Sequence, residues 1–527
     1  MPPTLFPQPG ELQLSRRSFL IGSASFAAAA LLSTRARGAV SGTPKFSCYP
    51  FTLGVASGDP APDGMVLWTR LAPRPLENGG GMPAEPIEVS WQVAEDEAMN
   101  RIVRQGTAIA NPAWAHSVHV EVEGLRPDRW YWYRFKAGGE ISPVGRTRTM
   151  PPANSLPDRL RFAFASCQKY ESGYYTAFEH LAREDVDLVF HLGDYIYEKG
   201  PSDDGVRRHN SPEIITLDDY RNRYALYKSD PALQAAHALA PWVVTWDDHE
   251  VSNNYANAIS EHPEITTTAD FLRRRAAAYQ AYFEHMPLRR TALPSGPDML
   301  LYRNLAFGRL ASFHVLDTRQ YRTDQPQNDG LKAPSPVLLD PKGTLMGDRQ
   351  RSWLFDGLEH SPAIWNTLAQ QIMVGRVDRV AGPQVGISMD QWPGYEFERR
   401  RLLNHFREKR ISNPVILAGD IHTNWANELT ANPDQPDAPN VATEFVGTSI
   451  TSGGDGVEKP AHLGTLLSEN PFVKFHNNER GYVCCELTQK TWRTEFRTVP
   501  YVTRRSAPLS TRATFVVESG RPQLNRV

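Results

Sequence analysis

Three short stretches of the chain place metal-binding side chains directly after apolar runs. They are residues 191–197 (HLGDYIY), 246–250 (WDDHE) and 419–422 (GDIH). Each apolar run is typical of a buried strand, so each stretch is expected at a strand's carboxyl end, where ligands collect in open α/β sheets. Carboxylate oxygens and imidazole nitrogens are common metal ligands. Three such endings in one chain predict a multi-metal hydrolase, with a phosphate ester as the expected substrate.

The first stretch offers an aspartate and a tyrosine to one site. Asp194 follows the predicted strand 187–192, and Gly193 between them permits a sharp turn because it lacks a Cβ. One carboxylate in this position can bridge two cations, and Tyr197 lies one turn further on. Phenolate ligation must overcome a tyrosine pKa of about 10, which a trivalent iron can do. Taken alone, this stretch also fits an ordinary turn with a packed tyrosine ring.

Cys167 follows the predicted strand 160–166, which precedes the strand that carries Asp194. A lone buried cysteine is ordinarily a small apolar core residue. A thiolate beside a phenolate and a carboxylate, however, favours a borderline or trivalent transition metal over magnesium. We therefore predict iron here, with zinc as the second choice.

The second stretch holds four consecutive polar residues after an apolar run. Adjacent carboxylates repel, so a cation is the natural reason to place them at a strand end. Asp248 is the preferred ligand, and Asn253 can add an amide oxygen. His249 is expected to face the substrate and give a proton or hydrogen bond to the phosphoryl group or leaving oxygen. Glu250 would brace His249 or a loop backbone; the alternative is a helix that starts with Asp as N-cap.

The third stretch follows the predicted strand 414–418 and presents Asp420 and His422. In an extended segment, residues i and i+2 point to the same side, so both can face one cluster. We assign Asp420 to the harder ion and His422 to iron. Arg319, after another predicted strand, is a further candidate to orient ligands or meet phosphate.

Two kinds of sequence pattern indicate the structural elements that position these residues. From residue 51 to about 150 the pattern is all-β, with short alternating runs separated by Gly, Pro and Asn. Tyr131 after the run 124–127 resembles the tyrosine corner of fibronectin-type sandwiches. Further on, strands alternate with helices, which predicts a sheet-and-helix catalytic domain. We predict a β-sandwich domain over 46–150, a catalytic domain over 158–505 and a C-terminal tail over 506–527.

The element boundaries follow from periodicity. The predicted strands of the catalytic domain are 160–166, 187–192, 242–246, 310–316, 367–373, 415–418, 443–448, 481–487 and 491–497. The predicted helices are 174–183, 218–227, 233–239, 269–285, 348–358 and 396–409.

The N-terminus has the pattern of an export signal. Arg16 and Arg17 precede an apolar stretch over 19–32, followed by Ala-Arg-Gly-Ala. That stretch is too short to span a bilayer, which needs about 20 residues. The pattern predicts a twin-arginine signal over residues 1–39, with an ordinary secretory signal or a membrane anchor as the alternatives. The mature protein would then be periplasmic or secreted after handling by the twin-arginine export machinery.

Composition excludes some partners. The formal net charge is −2 with 22% charged residues, whereas duplex nucleic acid demands a strong basic surface. We therefore expect no specific nucleic-acid binding, and membrane contact only if the substrate is a lipid. Cys48, Cys484 and Cys485 could supply one disulfide, whose pairing the sequence does not assign.

Taken together, these residues resemble the PhoD-like alkaline phosphatases, a branch of the calcineurin-like metallophosphoesterases. The stretches that carry the likeness are 165–167, 193–197, 246–250 with Asn253, and 419–422. The likeness covers nearly the whole chain. It implies an α/β (α+β) metallophosphoesterase sandwich of two β-sheets flanked by helices, preceded by a small fibronectin-like β-sandwich.

The same resemblance implies one iron(III) with calcium. Iron would be held by Cys167, Asp194, Tyr197 and His422. Asp194 would bridge to calcium, whose hard oxygens would come from Asp248, Asn253 and Asp420. Some family members cap the site with a C-terminal helix, whereas this chain has the strand-like run 514–517 in its tail.

The expected reaction is hydrolysis of phosphate monoesters by a metal-bound hydroxide, without a covalent enzyme intermediate. The family also contains phosphodiesterases with phospholipase D activity, so diesters are the alternative substrates. Ser166 as a nucleophile is the rival mechanism. A cell-surface binding protein built on an inactive hydrolase scaffold is the rival of another class, because fold alone does not establish function.

Overall fold

The protein is described from a computed structural model that covers residues 44–432, 434 and 438–527. The predicted signal over 1–39 lies outside the described residues and stays a prediction. Among the described helices, none is both long enough and apolar enough to cross a bilayer.

The N-terminal part is built from strands, as predicted. They are β1 (Val55–Ala61), β2 (Gly64–Arg70), β3 (Ile87–Ala94), β4 (Ile102–Ala110), β5 (Ser117–Val122), β6 (Trp130–Ala137), β7 (Glu140–Ile141) and β8 (Gly145–Arg148). In β6 every second residue is buried, which is the two-residue period of a strand with one face toward a core.

Strands and helices alternate in the next part of the chain. They are β9 (Arg159–Ala165), α1 (Thr176–Leu181), β10 (Leu188–His191), α2 (Leu217–Lys228), α3 (Pro231–Leu239), β11 (Trp242–Val244), α4 (Thr268–His285), β12 (Arg303–Phe307), β13 (Ala311–Val315), β14 (Leu331–Lys332), α5 (Gly347–Glu359), β15 (Trp365–Ala369), β16 (Ile387–Ser388), α6 (Glu396–Glu408) and β17 (Pro414–Ala418).

The remaining part is mostly strand. Its elements are β18 (Asn424–Thr430), β19 (Asn440–Val446), α7 (Leu463–Glu469), β20 (Val473–Asn477), β21 (Arg480–Thr488), β22 (Thr491–Val499), β23 (Ser510–Glu518) and β24 (Arg521–Arg526).

Two large sheets form the centre of the molecule. Within the described residues, the first sheet has ten strands in the order β24-β23-β22-β21-β9-β10-β11-β1-β2-β5, and the second has seven in the order β12-β13-β15-β17-β19-β18-β20. The sheets pack face to face through large apolar side chains: the rings of Phe162 on β9 and Phe313 on β13 have centroids 5.4 Å apart. The expected sandwich of two sheets is therefore present.

Helices cover the outer faces of both sheets. On the first sheet, Phe178 of α1 packs on Trp242 of β11, with ring centroids 6.0 Å apart. On the second sheet, Leu354 of α5 and Leu402 of α6 share a buried core with Ile416 of β17. The layers are thus helix, sheet, sheet and helix, which confirms the α/β class.

The strands that lead to the predicted ligands run parallel. In the first sheet, β10 pairs in parallel with both β9 and β11. In the second sheet, β17 pairs in parallel with β15 and β19. A parallel bridge between Ser166 and Ser449 joins the strand ends. The carboxyl ends of β9, β10, β11 and β17 consequently open onto one region.

The N-terminal segment, predicted as a β-sandwich domain over 46–150, is joined to the catalytic part by strand pairing, and its boundaries as a domain stay a prediction. A five-stranded sheet of β3, β4, β6, β7 and β8 shares an apolar core with β1, β2 and β5, so two sheets do face each other here. However, β1 also pairs in parallel with β11, and residues Lys45–Val527 form one compact unit. One sheet of the sandwich is therefore the edge of the catalytic sheet.

Gly58 explains how this junction forms. A Cβ on Gly58 would lie 2.5 Å from Pro287 O and 2.7 Å from Trp242 O, so only glycine allows this approach. The predicted tyrosine corner is present, since Tyr131 Oη accepts from Arg126 N at 3.0 Å and donates to Arg126 O at 3.2 Å. Likeness to a fibronectin-type sandwich stays a prediction.

The expected tail over 506–527 is also part of the first sheet. β23 pairs with β22 and β24 pairs with β23, both antiparallel. The strand-like run 514–517 lies inside β23. The catalytic sheet therefore continues to the last described strand, β24. All four cysteines are free thiols.

Candidate metal centre

The loops that follow β9, β10 and β17 hold their polar residues in an unusual backbone conformation. Cys167, Asp194, Asp420 and His422 have φ values of 58°, 57°, 63° and 58°. This left-handed region is disfavoured for residues with a Cβ, and such strain concentrates at functional sites. All four are residues that the sequence assigns to a metal.

The structure brings the four predicted iron ligands together. Ligand atoms of Cys167, Asp194 and His422 all lie within 4.8 Å of one another. Tyr197 Oη donates to Asp194 Oδ2 at 2.8 Å and lies 3.2 Å from His422 Nε2. A thiol, a phenol, an imidazole and a carboxyl from three separate strand ends therefore meet at one point.

Two further groups of ligand atoms adjoin this one. Asp194, Asp248 and His249 form one group, and Asp247, Asp248 and Asp420 form the other, each with atoms within 4.8 Å. Asp194 belongs to the first two groups and Asp248 to the last two. The three groups are thus continuous, because each shares an aspartate with the next. Asp194 lies at the position expected of a bridging carboxylate.

Two buried carboxylate oxygens within these three groups have no hydrogen-bond donor among the described residues. They are Asp194 Oδ1 and Asp247 Oδ2. A buried polar atom without a partner costs about 1–3 kcal/mol, and such atoms in native structures call for an explanation. A cation is the partner that a carboxylate oxygen in a cluster of donors would take. The donor set and these two oxygens therefore fit bound metal.

Burial controls the protonation of the Cys167 thiol and the Tyr197 phenol. Burial raises the pKa of Cys167 well above its ordinary value, and the nearby Asp194 carboxylate raises it further. Burial and the same carboxylate raise the pKa of Tyr197. Without a cation, these groups hold their protons; a metal would replace those protons, as metal binding commonly does.

Burial also raises the pKa of Asp194, and among its neighbours His249 opposes the rise while Asp248 and Asp247 add to it. Asp248 and Asp247 add to the rise because nearby carboxylates disfavour one another's ionisation. A multivalent cation removes this conflict, because it attracts all three.

Arg319 neutralises the carboxylates on the other side of the site. It is completely buried, and its Nη1 and Nη2 donate to the two oxygens of Asp390 at 2.8 Å each. Its Nε donates to Asp247 Oδ1, and its Nη2 lies 3.7 Å from Asp420 Oδ1 and 3.9 Å from Asp248 Oδ1. Against burial, Arg319 and then His249 hold the pKa of Asp248 below its ordinary value. Arg319 thus orients the carboxylates, one of the two roles considered for it.

His249 is held by Glu198 and not by Glu250. His249 Nδ1 lies 2.6 Å from Glu198 Oε2, and the His249 ring packs on the Tyr197 ring with centroids 4.1 Å apart. Although burial opposes it, Glu198 and Asp248 raise the pKa of His249 well above its ordinary value. With Nδ1 engaged, Nε2 is the nitrogen left to face a substrate.

Glu250 instead braces the backbone of two loops, which is the other role predicted for it. Its carboxylate accepts the backbone N–H groups of Asp194, Tyr195 and Asp247. The alternative in which an aspartate caps a following helix is wrong, because the next helix among the described residues is α4, which begins at Thr268.

The hydrogen bonds of Asn253 go to two glutamates that are not predicted ligands. Its Nδ2 donates to Glu261 Oε1 at 2.5 Å, and its backbone N–H donates to Glu198 Oε1 at 3.1 Å. The neighbouring Asn254 N donates to Asp248 Oδ2 at 2.7 Å. The role of Asn253 as a calcium ligand stays a prediction.

Sequence reasoning missed several supporting residues. Ser452 Oγ lies 2.7 Å from Cys167 O and 2.6 Å from Tyr197 Oη, and Arg480 Nη1 donates to His422 O. Glu198 and Asp390 were missed as well. No local sequence pattern distinguishes these residues. Glu198 directly follows the predicted ligand Tyr197 in the sequence, and this position could have indicated a supporting role.

Ser166 is poorly placed to act as a nucleophile. It is 2% exposed, and its Oγ accepts from Cys167 Sγ at 3.2 Å. A Cβ on Gly419 would lie 2.3 Å from that Oγ, so the hydroxyl is packed against the turn that carries Asp420.

Comparison with known proteins gives concordant matches. A sequence model of the PhoD-like phosphatases matches residues 162–496, and one of their N-terminal domain matches residues 36–151. Alkaline phosphatase D of Bacillus subtilis (strain 168) is 53% identical over 521 residues, which are 97% of this chain and 89% of that protein. A solved structure described as "Structure of PhoD" superposes with a TM-score of 0.89 at 55% identity, over 92% of this chain and 93% of the other.

Proposed function

Because the chain belongs to the PhoD-like phosphatase family and is therefore a phosphatase, we propose that it is an exported, metal-dependent enzyme that hydrolyses phosphate monoesters. Water attacks phosphorus directly, and no covalent bond to the enzyme is formed. The observation that carries this proposal is the pair of buried carboxylate oxygens without donors, Asp194 Oδ1 and Asp247 Oδ2, inside a continuous chain of metal-ligand atoms.

The chemistry of the donors suggests two different cations. Thiolate and imidazole favour a transition metal, so Cys167, Tyr197 and His422 with Asp194 would hold iron(III), with zinc as the less favoured substitute. Carboxylate and amide oxygens suit calcium. The residues that would hold it are Asp194, Asp248, Asp420 and Asn253, and the structure adds Asp247 as a candidate.

When bound, such cations lower the pKa of water and stabilise charge on phosphoryl oxygens. The chain's own residues would do the rest. His249, fixed through Nδ1 by Glu198, would present Nε2 to the leaving oxygen and donate a hydrogen bond or proton as the P–O bond breaks. Arg319, held by Asp390, would keep the carboxylate oxygens aimed at the cations.

The proposal is tested with p-nitrophenyl phosphate before and after metal removal. We expect hydrolysis by the holoenzyme, loss of activity on chelation and recovery on adding back iron and calcium. Full activity after verified removal of all metal would contradict the proposal. Bis(p-nitrophenyl) phosphate is the matched diester: a higher kcat/KM for it would replace the monoester assignment with a phosphodiesterase. Hydrolysis of neither ester would favour a binding protein.

The route of attack has its own test. A chiral phosphate ester distinguishes direct attack by water, which inverts configuration at phosphorus, from attack by Ser166, which retains it through two steps. We expect inversion, because the Ser166 hydroxyl is buried against the Gly419 turn.

A further inference from the structure

One carboxylate joins the loop that carries Asp194 to the loop that carries Asp248. Glu250 is 1% exposed. Its Oε2 accepts from Asp194 N at 3.1 Å and from Asp247 N at 2.9 Å, and its Oε1 accepts from Tyr195 N at 2.6 Å. These N–H groups lie just beyond the ends of β10 and β11. Glu250 therefore bonds to both loops through their backbone and leaves the ligand side chains free.

A second contact between the same loops is independent of Glu250. Gly193 has a φ of 112°, and a Cβ on it would lie 2.5 Å from Asp247 Cβ and 2.6 Å from Asp247 N. Real Cβ atoms do not approach backbone this closely, so the two loops touch here only because residue 193 is glycine. Contact at Gly193 limits how closely the loops approach, and the Glu250 hydrogen bonds hold them at that separation.

We propose that Glu250 is a positioning residue that sets the distance between Asp194 and Asp248, and through it the geometry of the hard-cation site. This inference rests on the proposed function, because it requires that a cation binds between these carboxylates. In the absence of a cation, Asp194 and Asp248 repel each other, and a brace that acts through the backbone keeps them close without using their oxygens.

The effect is expected to differ between the two cation sites. Asp194 and Asp248 lie on the two loops that Glu250 joins. Two of the four proposed iron ligands, Cys167 and His422, lie instead on the loops after β9 and β17, and Glu250 makes none of its hydrogen bonds to either loop within the described chain. Loosening the brace should therefore weaken the site built from Asp194, Asp248 and Asp420 more than the site built around the thiol and imidazole.

Glu250→Gln tests this directly, because the amide keeps the side-chain shape but replaces one acceptor oxygen with a donor that faces backbone N–H groups. We measure iron and calcium content of the holoenzyme, its visible spectrum, and Ca²⁺ affinity by calorimetry after calcium alone is removed. We expect calcium affinity at least tenfold weaker than wild type, with iron content and the ferric absorption band retained.

Glu444→Gln is the matched control. Glu444 is also completely buried, and its carboxylate accepts two backbone N–H groups, from Val374 at 2.5 Å and Gly375 at 2.9 Å. It makes no hydrogen bond to a candidate ligand among the described residues. The Glu444→Gln variant should keep wild-type calcium affinity. Wild-type affinity in Glu250→Gln, or an equal loss in Glu444→Gln, would overturn the inference.

Gly193→Ala gives a second test if Glu250→Gln does not fold. The added methyl forces the same loops apart from the other side, so calcium affinity should fall while iron is retained; unchanged affinity would overturn the inference. Wild-type protein that binds neither metal would instead refute the proposed function, and this inference with it.

Discussion

Asp194 is the residue on which the two proposed cation sites depend, because its carboxylate belongs to two of the three groups of donors. We expect Asp194→Asn to lose calcium and most of its iron, and to lower kcat/KM for p-nitrophenyl phosphate by more than about a hundredfold, since even residues that only orient ligands cost 10–100-fold. Metal analysis and steady-state kinetics on the same sample measure both effects.

Asp356→Asn serves as the control for this variant, because Asp356 is 78% exposed and lies on α5. It should leave metal content and turnover unchanged. An Asp194→Asn enzyme with full turnover and bound metal would show that the carboxylate does not bridge.

His249 is predicted to assist departure of the leaving oxygen. His249→Gln should therefore slow phenyl phosphate, which has a poor leaving group, by roughly a hundredfold or more, and slow p-nitrophenyl phosphate much less. The ratio of the two kcat/KM values is the measurement, because a general loss of folded enzyme would not change it. His262→Gln is the control, since the His262 side chain is 58% exposed. Equal losses on both substrates would exclude the role.

At the residue scale, sequence reasoning predicted the candidate ligands that meet in the structure but not the residues that support them. Asp194, Asp248 and Asp420 follow apolar runs directly, so their position at strand ends could be predicted. Glu198 and Asp390 act on His249 and Arg319 across the fold, and no spacing along the chain reports such contacts. The choice between Glu198 and Glu250 as the partner of His249 required coordinates for this reason.

At the scale of elements, periodicity predicted the helices and the apolar strands well. The predicted helix 269–285 is α4, Thr268–His285, and the predicted strand 481–487 lies within β21, Arg480–Thr488. The strand β18 was missed because its buried residues include polar ones: Asn427, for example, donates to Glu444 at 2.8 Å. A buried strand satisfied by side-chain hydrogen bonds does not show an apolar pattern.

β1 was missed for a different reason, because it is buried on both faces and contains Gly58. Its pairing with β11 ties the N-terminal segment to the strand that leads to Asp248. Gly58→Ala should destabilise the whole chain by about 1–3 kcal/mol, as overpacking does, because the new methyl would meet backbone oxygens of Pro287 and Trp242. Denaturant unfolding followed by tryptophan fluorescence measures this.

Gly139→Ala is the matched control for that element. Gly139 lies in the turn between β6 and β7, and a Cβ there meets no atom within 4 Å. The free energy of unfolding of the Gly139→Ala variant should equal that of the wild type. If Gly58→Ala also leaves the unfolding midpoint unchanged, the junction between β1 and β11 contributes nothing to stability.

At the scale of the whole molecule, the sequence predicted the layers but not their continuity. Alternating strands and helices indicated an α/β sandwich, and the two packed sheets confirm it. The first sheet, however, begins in the N-terminal segment and ends in the expected tail. Pairings between strands hundreds of residues apart, such as β1 with β11, are set by tertiary packing, so a local pattern could not reveal them.

The proposed export concerns the whole molecule as well. We predict that replacing Arg16 and Arg17 together by lysine keeps the protein in the cytoplasm, because the paired arginines are the feature that the export machinery is expected to read. Cell fractionation of a tagged chain measures this, and Arg37→Lys provides a control within the same segment. Unchanged export of the double variant would favour an ordinary secretory signal.

We propose that side chains from separate strand ends hold iron and a harder cation in one site. Metal quantification with a visible spectrum, on wild-type protein exported natively and active on p-nitrophenyl phosphate, tests it most directly. We predict iron together with calcium, and a broad absorption band from phenolate or thiolate bonded to ferric ion that Tyr197→Phe alters. A fully active sample with neither metal and no such band would contradict the account.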